Sequence, residues 1–370
     1  MTDPAEHDAA VRTRRRPSPG TVGWILLVLG VVGTVALGLT PSSYVVERPG
    51  PVYDVLGAVG TGAAARPLIG IPSGQRTYPT SGSLDMLTVY VDGSPQTPVN
   101  WVSIAASWFD PTRSVVPMNE VYAPGVTDKQ ADQQDKVEMS SSQQDATAAA
   151  FTALGVRYTT TIVVGQVVPG TPSEGVLKAG DDVVSVAGQP VTGLTQLQKA
   201  IRAHGTTTPL AVGIRRDGAT REVQITPEVN SQSGKPAIGI LTGVRYVFPY
   251  TVRFQLSDVG GPSAGMMLAL GIYDKLTPGK LTGGAHIAGT GEITADGTVG
   301  IIGGIRQKMY GARDAGADWF LAPAGNCDEV VGHVPSGLRV LKVSTLHQAL
   351  DDVKAIAAHD AGSLPTCTAK

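Results

Sequence analysis

The chain reads as an α+β multidomain protein: an N-terminal apolar helix, a β-rich middle and a C-terminal domain of mixed strands and helices. Three observations predict this. An uncharged apolar stretch runs from Gly23 to Leu39. Strand-like runs separated by Gly/Pro turns fill residues 156–228. Beyond residue 229, alternation gives way to apolar stripes at three- and four-residue spacing. With 370 residues there is room for about two or three domains. A hydrophobic fraction of 42% suffices for cores and argues against wholesale disorder. The 46 glycines and 26 prolines, set against 5% aromatic residues, favour many turns over long helical bundles. A net charge of -2 gives no reason to expect nucleic acid as a partner.

Arg12, Arg14, Arg15 and Arg16 precede the apolar stretch, which reaches about 20 residues once Thr21, Val22 and Thr40 are included. A helix of that length crosses roughly 30 Å of hydrocarbon. Arginines stay on the cytoplasmic side. Residues 1–20 are therefore expected as a cytoplasmic tail and 21–40 as a single span of the cell membrane, with the remainder extracytoplasmic. The alternative is a secretory signal cleaved after the small residues of Ala36-Leu37-Gly38.

Residues 41–139 are expected to be an extracytoplasmic β-containing region ending in a polar segment. Residues 41–57 look extended, and Leu87, Val89 and Val91 alternate with Thr88, Tyr90 and Asp92 as in a half-buried strand. Residues 127–145 are rich in Gln, Asp and Ser and read as an exposed segment. Ser141 or Ser142 is placed to cap a helix running to Leu154, with Gly155 as its stop.

Residues 140–230 form the next unit, a helix followed by a compact β-rich module. Tyr158–Val168 is dominated by Thr, Ile and Val; Val183–Val186, Leu210–Arg215 and Arg221–Thr226 are further strands; Leu194, Leu197 and Ile201 mark one helical face. The run VVPGTPSEGVLKAGDDVVSVAGQPV resembles a PDZ domain of the type found in bacterial membrane and periplasmic proteases. That resemblance implies a peptide groove between the strand after Gly155, with Tyr158 and Thr160, and the helix face of Leu194, Leu197 and Ile201. Peptides would add there main chain to main chain. No Gly-Leu-Gly-Phe-like loop for a C-terminal carboxylate is apparent, and a spacer without a ligand is the other reading.

Residues 231–355 form the last domain, followed by a tail at 356–370. Val252, Phe254 and Leu256 alternate as in a strand. Ser263 then stands in Gly260-Gly261-Pro262-Ser263-Ala264-Gly265, ahead of a helix whose Ala264, Met267, Leu268 and Ile272 share one face. Pro262 suits a helix's first turn. Unpaired backbone N–H groups and the positive end of the dipole gather at such a site, where an oxyanion would need them. Serine at a helix start is also an ordinary cap. A serine nucleophile requires a base. Ile305, Lys308, Met309 and Ala312 lie on one helical stripe, so Lys308 projects from an apolar face. Burial there would lower its pKa from about 10.4 toward neutrality, as a base needs. A snorkelling lysine is the competing reading.

GGPSAG followed by GTGEIT and GGIRQK resembles the Ser-Lys proteolytic domain of the Lon family. By that resemblance Ser263 is the nucleophile, Lys308 the general base and Thr290 a hydroxyl that orients the amine. Gly260, Gly261 and Asp258 are supporting or oxyanion-side residues, although Asp258 is set back by one glycine from the family's usual aspartate position. The whole arrangement is similar to membrane-anchored PDZ-containing Lon-like serine proteases, and implies protein or peptide substrates and a homo-oligomer, hexameric by likeness. No Gly-x-x-x-x-Gly-Lys-[Ser/Thr] loop is present, so cleavage without ATP is expected. No cofactor and no metal are expected: the six histidines are scattered, and neither Cys327 nor Cys367 has ligand spacing. The two cysteines, in an oxidising compartment, either pair as a disulfide or remain thiols. A membrane-tethered adaptor that binds peptides without cutting them is the alternative function.

Overall fold

The computed structural model describes residues 19–256 and 259–368. The four arginines assigned to the cytoplasmic tail and Asp258 lie outside the described residues. The chain divides into two compact units, one formed by residues up to Pro49 with Val89–Ala131, the other by Gly50–Thr88 with residues from Asp132 onward.

In the first unit, helix α1 (Pro19–Leu39) contains a window, Val22–Leu39, of mean hydropathy 2.4 with none of it buried. At 1.5 Å per residue it is about 30 Å long, matching a bilayer's hydrocarbon thickness. Strands β1 (Tyr44–Asp54) and β2 (Ser83–Asp92) each contribute to both units. Helix α2 (Trp101–Ser107) starts at Asn100, whose side chain accepts from the Ser103 N–H at 2.9 Å. Strand β3 (Ser114–Pro117) runs antiparallel to Tyr44–Glu47. Arg48 holds Asp92 in a fork and lies 4.3 Å over the Tyr90 ring.

Helix α3 (Asp128–Ala153) begins a dozen residues before the expected Ser141/Ser142 cap. The polar stretch read as an exposed segment is its first half. The cause is a capping box: the Thr127 N–H donates to Gln130 Oε1 at 2.9 Å, and the Gln130 N–H donates to Thr127 Oγ1 at 3.3 Å. The helix stops at Gly155, whose φ of 69° is left-handed.

Five strands and one helix follow: β4 (Thr159–Val167), β5 (Asp182–Val186), α4 (Leu194–His204), β6 (Leu210–Arg216), β7 (Ala219–Ile225) and β8 (Ile240–Val247); the strands form an antiparallel sheet in the order β7-β6-β5-β4-β8. Ile162, Val183, Leu197, Val212 and Ile238 fill its core. The expected boundary at 230/231 is corrected to about 247. β8 pairs with β4 along its whole length, from Ile240↔Val167 to Val247↔Thr159, so it belongs to this sheet.

The last elements are α5 (Gly265–Leu276), β9 (His286–Gly289), α6 (Ile305–Asp314), β10 (Trp319–Pro323), β11 (Arg339–Val343) and α7 (Leu346–Ala357). β11, β10, β9 and β2 form a parallel sheet in that order. Contrary to the expectation of a separate region 41–139, its residues 50–88 belong with the C-terminal domain, because Ser83–Met86 pairs with His286–Gly289. The small antiparallel sheet is an insertion in the chain between two neighbouring strands of the larger one. The apolar β2, β9 and β10 segments and the largely buried α5 supply the main core, as a parallel sheet covered by helices requires. Only Arg253–Phe254 of the expected 252–256 strand pairs, with Ile69–Gly70. Cys327 and Cys367 form a disulfide, their Cα atoms 5.0 Å apart, and the Lys342 N–H donates to the Pro365 carbonyl, so the tail is held against β11.

Candidate active site

Ser263 lies in the turn that leads into α5, and Lys308 in the first turns of α6. α6 starts at Gly304, a left-handed residue with φ 66° that glycine adopts without strain. From there Ile305, Lys308, Met309 and Ala312 face inward, and Ile305, Met309 and Ala312 are fully buried. Lys308 is 4% exposed. Its Nζ donates to Ser263 Oγ at 2.9 Å and to Thr290 Oγ1 at 3.3 Å. Thr290, itself 1% exposed, donates its hydroxyl to the Ser263 carbonyl at 2.9 Å. Its lone pairs are thus left toward the amine. The Gly291 N–H also donates to the Ser263 carbonyl, at 2.8 Å, and the Met266 N–H donates to the Gly291 carbonyl at 3.0 Å. The strand end at Thr290-Gly291 and the turn at Ser263 are therefore fastened to each other by main chain.

Helix α3 braces the same turn from the other side. Ser142 Oγ donates to the Pro262 carbonyl at 2.8 Å, and the Gly261 N–H donates to the Asp135 carbonyl at 3.0 Å. This corrects the oxyanion expectation for Gly261: its N–H is engaged, and Pro262 has none to offer. The Ser263 amide is what remains of that group. Gly260 also has a packing role, because a Cβ there would lie 2.7 Å from the Asp135 Cβ. None of this was legible while α3 was read as starting at residue 141. Around the turn the carboxyls repel one another. Burial pushes Asp135 up, and Glu138 and Asp132 add to it. Burial and then Glu138 push Glu292 up, while Lys308 opposes them. Among the described residues, no group of three His, Cys, Asp or Glu side chains converges as a metal ion would require.

The expected peptide groove needs correction. β4 has a strand on both sides, β5 and β8, so neither of its edges can accept a peptide. Tyr158 and Thr160 are engaged elsewhere. The Tyr158 ring packs edge-on to Tyr246 and against Phe248, and Thr160 Oγ1 donates to the Thr192 carbonyl. The edge strands are β7 and β8, and β8 is the one beside β4. A cavity of about 340 Å³ runs between it and α4, lined by Leu194, Leu197 and Ile201 on the helix and by Ile238, Gly239 and Ile240 on the strand side. Ala237-Ile238-Gly239-Ile240 is an apolar-glycine-apolar segment lining this cavity. It was overlooked because it lies beyond the last strand of the apparent module.

Comparison with known proteins matches two parts of the chain. Residues 258–358 match the Lon protease (S16) C-terminal proteolytic domain, and residues 136–226 match the PDZ domain. The chain thus carries a Lon-type proteolytic domain of mixed α/β content and a PDZ domain, behind one N-terminal apolar helix. It is 42% identical over 93 residues to Lon protease 1 of Sorangium cellulosum, covering 24% of this chain and 11% of that relative. It is 34% identical over 157 residues to the Lon protease of Lachnoclostridium phytofermentans, covering 33% of this chain and 19% of the relative. The chain therefore spans less than a fifth of the length of either. The PDZ domain of the SdrC-like protein Lin2157 from Listeria innocua aligns over 22% of this chain and 92% of its own, at 23% identity and a TM-score of 0.21. The PDZ match ends at residue 226, ahead of Ile240–Val247.

Proposed function

We propose that the chain is an ATP-independent endopeptidase, anchored by α1 with its catalytic domain outside the cytoplasm, in which Ser263 is the nucleophile and Lys308 the general base. The observation that carries this reading is the 2.9 Å contact between Lys308 Nζ and Ser263 Oγ at a buried amine. An amine in its neutral form at that contact is able to take a proton from the hydroxyl. In the reaction that contact runs in reverse: the neutral amine accepts the Ser263 hydroxyl proton as Oγ attacks a peptide carbonyl. Thr290 holds the amine in line, and the Ser263 amide faces the developing oxyanion. The protonated Lys308 then gives its proton to the leaving amine. In the second half-reaction it takes one from the water that opens the acyl-enzyme. The PDZ domain would gather flexible segments of substrate proteins in the α4/β8 groove, by strand addition to β8.

The test uses the full chain in detergent or nanodiscs, with an unfolded protein substrate and no nucleotide. Wild type should cleave it and label at Ser263 with a serine-reactive phosphonate; Ser263→Ala and Lys308→Ala should do neither. Cleavage that survives either substitution would end the dyad assignment. A folded wild type that neither cleaves nor labels would favour the peptide-binding adaptor.

A further inference from the structure

We infer that the exposed aromatic end of α2 is a second membrane contact, with Trp108 and Phe109 seated among the lipid headgroups of the leaflet from which α1 emerges. The inference rests on the reading of α1 as a membrane anchor and adds a surface to it.

The nine residues from Trp101 to Phe109 carry no charge and include three aromatic rings. Their inward side is settled: Ile104 is 0% and Ser107 2% exposed, and Ser107 Oγ donates to the Ser103 carbonyl. The exposed side chains are Val102 at 38%, Trp108 at 67% and Phe109 at 88%, the last two where the helix ends. A cluster of this kind on a water-facing surface marks a contact with something apolar. The position of α2 identifies that something. α1 ends at Leu39, and within three residues the chain is tied to the start of α2: Pro41 bridges Asn100, and the Ser42 N–H donates to the Val99 carbonyl at 2.8 Å. α2 also packs on the last turn of α1, where a Cβ at Gly38 would meet Val102 Cγ2 at 3.9 Å. The seven residues of α2 rise only about 10 Å, so Trp108 and Phe109 cannot stray far from the point where α1 ends. Each headgroup layer is itself about 5–8 Å thick. Indole and phenyl side chains on a short uncharged helix suit that layer.

Depth-resolved quenching of the full chain in phosphatidylcholine nanodiscs tests this. Emission lost in Trp108→Phe reports Trp108, and emission lost in Trp24→Phe reports Trp24 at the other end of α1. Lipids brominated close to the headgroup should quench the Trp108 emission at least about two-fold, with little effect of aqueous iodide. Trp24 quenched by bromolipid while Trp108 answers only to iodide would overturn the inference and leave the anchor standing. Trp24 untouched by any bromolipid would remove the anchor, and the inference with it. Trp108 shielded from both quenchers would place a protein partner on the patch and overturn the lipid contact.

Discussion

The two ligand-facing regions of the second unit are built on opposite plans. At the Lon-type site two side chains, Ser263 in the turn before α5 and Lys308 on α6, are held together by a small hydrogen-bond network with Thr290. At the PDZ groove the functional surface is an unpaired main-chain edge beside a helix. The first depends on residue identity and the second on shape and backbone conformation. Substitutions should therefore damage them in different ways and independently of each other.

The largest expected effect comes from Lys308→Met, which keeps the bulk of the stem and removes the amine. The kcat/KM for protein cleavage should fall by about 10³ or more, while a peptide retained by the groove binds with unchanged Kd in a fluorescence titration. Loss of both would break the comparison. Next comes the staple that only the proteolytic side possesses. Cys367→Ser opens a loop between residues 40 apart in sequence, and should cost about 2–4 kcal/mol in urea unfolding. The melting of the PDZ sheet, followed by hydrogen exchange, should stay where it was.

Gly239→Val attacks the groove alone. Gly239 has φ 78°, and a Cβ there would lie 2.1 Å from the Thr171 Cβ. Peptide affinity should drop about ten-fold or more, because the loop must move or strain, whereas cleavage of a short reporter peptide that bypasses the groove holds its rate. The smallest effect sharpens the proteolytic side. Asp352 on α7 is 3% exposed, and burial, followed by Asp351, raises its carboxyl to about 6. A folded-state value above the unfolded one favours the native state only while the group stays protonated. That contribution is full below about pH 4 and is lost as pH rises through 6. Asp352→Asn should thus gain about 1–2 kcal/mol at pH 7.5 and nothing at pH 4 in chemical denaturation.

The same contrast governed what could be read before any coordinates. Ser263 and Lys308 were legible because their motifs are specific and because a stripe of Ile305, Met309 and Ala312 carries Lys308 inward. The groove was misassigned to β4 because a strand's sequence discloses its faces but not its neighbours. Ile240–Val247 reads as a strand anywhere. Its place beside β4, and that of Ser83–Met86 beside β9, follow from pairing across about 80 and 200 residues. The start of α3 was readable in principle from the Thr127-x-x-Gln130 box, and missing it hid the brace on Gly261.

That brace decides how far the protein can be trimmed. Residues 258–358 contain both Ser263 and Lys308, yet the props beneath Pro262 and Gly261 are supplied by Ser142 and Asp135, and one wall of the sheet by Ser83–Met86. A fragment cut to the boundaries of the Lon match would carry Ser263 and Lys308 with their scaffolding left behind.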